Sequence, residues 1–75
     1  MELQDFIKEF ADQFDDTDPK EFTASTKFQE FDEWSSLTTM VIIAFVKTKL
    51  GKNITGTEIR SCTTVKELFD FIVSK

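Results

Sequence analysis

The chain contains no histidine and no tyrosine, and only one cysteine, one proline and two glycines among its 75 residues. Without histidine it lacks the usual proton carrier near neutral pH and the commonest transition-metal ligand. The lone Cys62 excludes an internal disulfide and a Cys-pair site. With no His to activate it and only Arg60 as a near cation, Cys62 is expected to be a half-buried small apolar side chain. Two glycines leave no Gly-rich phosphate loop. Long apolar runs are also missing. The run from Met40 to Val46 stops far short of the ~18 residues that suggest a membrane span. The start, Met-Glu-Leu-Gln-Asp, carries no secretory signal pattern, so a cytoplasmic protein without membrane insertion is expected.

Bases are scarce, nine against fourteen acids, for a net charge of −5. No basic stripe exists to displace counterions, which argues against nucleic-acid binding. The imbalance is local. Residues 1–33 hold eleven acids and three bases, net −8, whereas residues 34–75 hold three acids and six bases, net +3. From Trp34 to Thr57 there is no acid at all, while Lys47, Lys49 and Lys52 are present. The acidic surface should therefore lie on the first helix and the loop after it. Asp15, Asp16 and Asp18 lack the Gly and terminal Glu of a calcium-binding loop, so no metal site is expected.

What the chain does have is phenylalanine. Nine Phe and one Trp supply large apolar payloads to a chain with room for one core, residues 1–75 forming a single domain. They leave no space for an internal catalytic cavity. Leu3, Phe6, Ile7, Phe10, Ala11 and Phe14 repeat at helical spacing, predicting a first helix from about Glu2 to Phe14. Asp15-Asp16-Thr17-Asp18-Pro19 ends it. A long connection follows, anchored by Phe22, Phe28, Phe31 and Trp34, with a short helical turn expected near Thr26 to Phe31.

A second helix is predicted from Leu37 to Leu50, closed by Gly51 as a left-handed cap. Apolar residues fall on two of its faces. Thr39, Ile42, Ile43, Val46 and Leu50, flanked by Lys47 and Lys49, are expected to form the main core face. Leu37, Met40, Val41, Ala44 and Phe45 form the other. Thr55 with Glu58 and Thr64 with Glu67 read as capping boxes, opening a short third helix and a last helix whose core face is Val65, Leu68, Phe69 and Ile72. The expected fold is thus all-α: a small four-helix bundle with three main helices, one short third helix and a long loop between the first two.

Ser35 and Ser36 stand at the mouth of the second helix. A lone serine there is usually an N-cap. With a pair, Ser35 can cap the helix and leave the Ser36 hydroxyl free, where helix dipole and unpaired N–H groups favour a phosphodiester. Asp32 and Glu33 are the only nearby acids that qualify as a base, and no oxyanion feature accompanies them, so an autonomous enzyme is not expected.

Ser35-Ser36-Leu37 leading into an apolar helix, Gly51, a short element around Thr57 to Ser61, and the closing Thr63-Thr64-Val65-Lys66-Glu67-Leu68-Phe69-Asp70-Phe71-Ile72 together resemble an acyl carrier protein. The resemblance covers nearly the whole chain in length and order of elements. The family's signature is Asp-Ser-Leu; this chain has Ser35 in place of the Asp and keeps the acceptor Ser36. The resemblance implies a 4′-phosphopantetheine arm on Ser36 that carries an acyl or aminoacyl group as a thioester. It implies a monomer serving partner enzymes of fatty acid, polyketide or related biosynthesis. These are a phosphopantetheinyl transferase and then acyl ligase, ketosynthase or acyltransferase enzymes. Trp34, Ser35, Leu37, Met40, Val41 and Ala44 are the expected docking residues. Family members commonly present an acidic second helix to basic partners; with no acid on this one, docking is expected through apolar contact more than salt bridges. The alternative is a helical interaction module of the same shape, without a prosthetic group, in which the serine is merely a cap.

Overall fold

Four α-helices form where sequence period and capping coincide, and the computed structural model describes all of residues 1–75. They are α1 (Leu3–Ala11), α2 (Ser36–Leu50), α3 (Gly56–Arg60) and α4 (Val65–Val73), with no strand. Short 3₁₀ turns at Pro19–Glu21 and Phe28–Glu30 interrupt the long connection, the second within the stretch expected to turn. The result is a small helical bundle, 28 × 25 × 20 Å, with α1 packed on α4 and α2 on α3. No helix is long and apolar enough to cross a membrane.

The first helix ends earlier than its apolar period suggests. Asp12 caps α1, and the next two residues tighten into i→i+3 bonds, Gln13 N–H to the Phe10 carbonyl at 3.1 Å and Phe14 N–H to that of Ala11 at 3.0 Å. This turn still buries Phe14, which meets the rings of Phe22, Phe31 and Trp34 at 4.9–6.2 Å. Aromatic packing beyond the helix wins over one more helical turn.

Caps decide the remaining ends. Gly51, at φ +68°, closes α2 in the left-handed conformation that a side chain resists. Thr55 and Glu58 form a reciprocal capping box on α3. At α4 only half of the expected box forms: Thr64 Oγ1 accepts from Glu67 N–H at 3.2 Å, but the Glu67 carboxylate reaches back one residue further, to Thr63 N–H at 2.8 Å. Two orphan N–H groups of α4 are satisfied from afar, Val65 donating to the Thr26 carbonyl and Lys66 to that of Ala24, both at 3.0 Å. The long connection is thereby fastened to the last helix.

One core of 15 buried apolar residues joins all four helices and the connection. Phe10 lies at its centre, within 5.3–6.5 Å of the rings of Phe6, Phe14, Phe22, Phe28 and Phe45. These contacts keep Ile42 and Val46 of the expected face of α2 inside and correct the placement of Phe45, which was expected on the other face. Its inward face is Ile42, Phe45 and Val46, while Thr39, Ile43 and Leu50 are only half-buried. Phe45 meets Phe6 of α1 at 5.8 Å, and that pairing rolls the helix toward it. Lys49, on the same side, pairs with Glu9 of α1 at 3.5 Å. Leu37, Met40, Val41 and Ala44 are left facing solvent.

Candidate functional site

The site is built at the first turn of α2. Ser35, in extended conformation, is its N-cap: the Oγ accepts from Thr38 N–H at 3.3 Å. The Thr38 hydroxyl donates to the Glu33 carbonyl at 2.8 Å, and the Thr39 hydroxyl to the Ser35 carbonyl at 3.0 Å. Together these bonds hold the loop-to-helix junction in one shape. Ser36 is the first helical residue, exposed, and its hydroxyl takes part in none of the hydrogen bonds. The pair is thus divided into a structural serine and a free one.

Neither acid nearby serves Ser36. The Glu33 carboxylate is turned to the end of α1, where it accepts from Asp15 N–H at 2.7 Å, Asp16 N–H at 3.0 Å and the Thr17 hydroxyl at 2.8 Å. Partial desolvation raises its pKa, but the bonds from Thr17, Asp15 and Asp16 outweigh it, and the net shift is downward. Glu33 is a clamp between the two ends of the connection. Asp32 is exposed and forms no hydrogen bond. No group of three carboxylate or thiol side chains is arranged to hold a metal ion. Cys62 is buried, more fully than its sequence context suggests, and desolvation pushes its thiol pKa up, away from the reactive thiolate.

Beside Ser36 an open depression of about 510 Å³ lies between α2 and α3. Trp34, Met40 and Ile43 supply its apolar wall; Ser35, Ser36, Thr39, Gln29 and Arg60 its polar rim. Trp34 is half-buried, its indole 5.1 Å from Phe28 and 6.2 Å from Phe14, so it belongs to the inner wall and not to the outward strip of α2. Ser35 likewise spends its hydroxyl on the cap. Of the expected docking residues, Leu37, Met40, Val41 and Ala44 share the open face.

Three contributors escape a reading of the sequence. Gln29 donates its side-chain amide to the Cys62 carbonyl at 2.7 Å, with the carbonyls of Ile59 and Arg60 at 3.3 Å, and so ties the connection to the end of α3. Gly56 lines the depression, where a Cβ would sit in ordinary contact, 3.4 Å from Arg60 Nη1 and 3.6 Å from Thr39 Cγ2. Arg60 comes to the rim because α3 packs on α2. Its only local signal is position in the last turn of a capped helix.

No family model, curated protein or solved structure matches the chain. What distinguishes the site is its own geometry.

Proposed function

We propose that this chain is a carrier, not an enzyme, which holds an acyl or aminoacyl group as a thioester on a 4′-phosphopantetheine arm attached to Ser36. The observation that carries the reading is the divided serine pair: Ser35 caps α2, and the next hydroxyl, Ser36, is exposed and free of hydrogen bonds. The residues present fit such a group. A phosphodiester on the first residue of α2 breaks no helical bond, and the helix dipole with its unpaired N–H groups favours the negative charge. Arg60 adds a cation on the rim, and Trp34, Met40 and Ile43 offer an apolar wall to the beginning of the arm. When bound, the arm supplies the thiol that carries the cargo.

Attachment makes a bond from Ser36 Oγ to the phosphorus that bears the pantetheine arm of coenzyme A, breaks the pyrophosphate P–O bond, and releases adenosine 3′,5′-bisphosphate and the hydroxyl proton. No carboxylate of this chain hydrogen-bonds that hydroxyl, so the base belongs to the modifying transferase. The partners are then a phosphopantetheinyl transferase and enzymes that load or accept the cargo, namely acyl ligase, ketosynthase or acyltransferase enzymes. The protein meets them as a monomer. Incubation with coenzyme A and a broad-specificity transferase should add one phosphopantetheine by intact mass, and Ser36→Ala should abolish the addition. Failure to load with several transferases would overturn the reading.

One observation favours a second reading, an interaction module without a prosthetic group: α2 exposes Leu37 and Met40 more than a helix needs for packing alone. In that case Ser36→Ala leaves function intact, whereas Met40→Asp abolishes it.

A further inference from the structure

The outward strip of α2 has a charge sign opposite to that of the first half of the chain. Leu37 is 71% exposed, Met40 66% and Val41 38%, with exposed Ala44 between them and Lys47. At about 100° per residue, Ser36, Met40 and Lys47 fall within about 40° of one another, and a 1.5 Å rise puts Lys47 about 16 Å along the axis from Ser36. The strip is therefore apolar along its length, with a cation at its far end and Arg60 across the depression from Ser36 and Met40. The ion pairs of the molecule are Lys49–Glu9, Lys66–Asp70 and Lys75–Glu58; Lys47 and Arg60 take part in none of them. Arg60 gives only a 3.3 Å hydrogen bond, to the Thr57 hydroxyl. No acid occurs from Trp34 to Thr57 around Lys47, and Glu58, two residues from Arg60, is engaged by Thr55 N–H and Lys75.

We infer that this strip docks a partner whose apolar groove or helix face is rimmed with carboxylates. Apolar contact supplies the attraction, and the two unpaired cations select the sign of the rim and speed encounter. A basic partner is steered elsewhere, to residues 1–33 with their net charge of −8, and meets Lys47 and Arg60 as repulsion if it reaches the strip. A strip of four apolar side chains makes a small contact, suited to brief visits. The purpose of the contact, bringing a partner's active centre to an arm on Ser36, rests on the carrier reading; the polarity of the contact does not.

The test uses two amphipathic helical peptides with the same Leu-rich face, one rimmed with Glu and one with Lys, titrated into the ¹⁵N-labelled full chain. The Glu-rimmed peptide should shift amides from Ser36 to Lys47 and at Arg60, with affinity that falls as salt is added. The Lys-rimmed peptide should shift residues of α1 and the connection instead. The double variant Lys47→Glu, Arg60→Glu should weaken the first peptide severalfold and bring the second onto the strip. A Lys-rimmed peptide that occupies the strip of the unaltered chain as tightly, or a Glu-rimmed one that shifts nothing between Ser36 and Lys47, overturns the inference. Intact-mass loading of Ser36 is read separately. Peptides that map as expected on a chain that never loads would support the docking polarity while overturning the carrier reading. Loading combined with a Lys-rimmed peptide on the strip would do the reverse.

Discussion

Glu33 does at one side chain what a helix cap does at a terminus: it receives the backbone N–H groups of Asp15 and Asp16, which find no backbone acceptor in the turn after α1, and the Thr17 hydroxyl. Because its folded pKa lies below the ordinary carboxylate value, Glu33 contributes stability that is fully present above that value and is lost as pH falls through the folded one. Glu58, held down by the Thr55 N–H and by Lys75, adds in the same direction. Stability should therefore decline on the acid side of about pH 4–5. Glu33→Gln should lower the urea midpoint at pH 7 and flatten the part of the decline that Glu33 causes. A midpoint and acid limb equal to those of the unaltered chain would show that the clamp contributes nothing. Ser36 is the contrasting residue: its hydroxyl is exposed and has no hydrogen bond to lose.

At the scale of the element, α2 carries both the site and the strip, and its two ends are held in different ways. Ser35, Thr38 and Thr39 fasten the start through side-chain bonds, one of them to Glu33 of the connection, so the position of Ser36 is set by the junction of loop and helix. The finish depends on the backbone of Gly51. A Cβ at Gly51 would meet no atom within 4 Å, so the penalty for one is torsional and not steric. Gly51→Ala should cost about 1 kcal/mol in urea unfolding, and Gly51→Asn less, since Asn tolerates the left-handed region. Equal stability for all three residues would mean that the cap relaxes into another conformation. On the carrier proposal, neither change should alter loading at Ser36, fifteen residues away at the other end of the helix.

At the scale of the whole molecule, stability rests on interlocked aromatic rings. A 75-residue domain has about 4–11 kcal/mol in all, at ~0.05–0.15 kcal/mol per residue. Phe10 meets five other rings and is fully buried, so Phe10→Ala should cost about 3–5 kcal/mol and remove most or all of the cooperative transition. Circular dichroism and Trp34 fluorescence during urea unfolding read this directly. A loss under ~1 kcal/mol would mean that the core repacks around the gap. The same cluster links α1, the connection and α2, so the surface that carries Ser36 is held by residues far from it in sequence.

Four helices, their order, most of their ends and the free serine were legible in the amino-acid order, because period, caps and a left-handed glycine are written within a few neighbouring residues. Phe6 and Phe10, Thr55 with Glu58, Ser35 and Gly51 each act over one or two helical turns. The inward face of α2 was legible only in part: Ile42 and Val46 were expected inside, and Phe45 was not. Its apolar residues surround the axis, so the pattern contains no preferred direction, and only the ring of Phe45 meeting Phe6 and Phe10 supplies one. Glu33 reaching back to Asp15, Gln29 reaching forward to Cys62, and Arg60 arriving beside Ser36 were likewise decided by packing. Those contacts depend on the path of the whole connection through space, which short-range propensity does not encode.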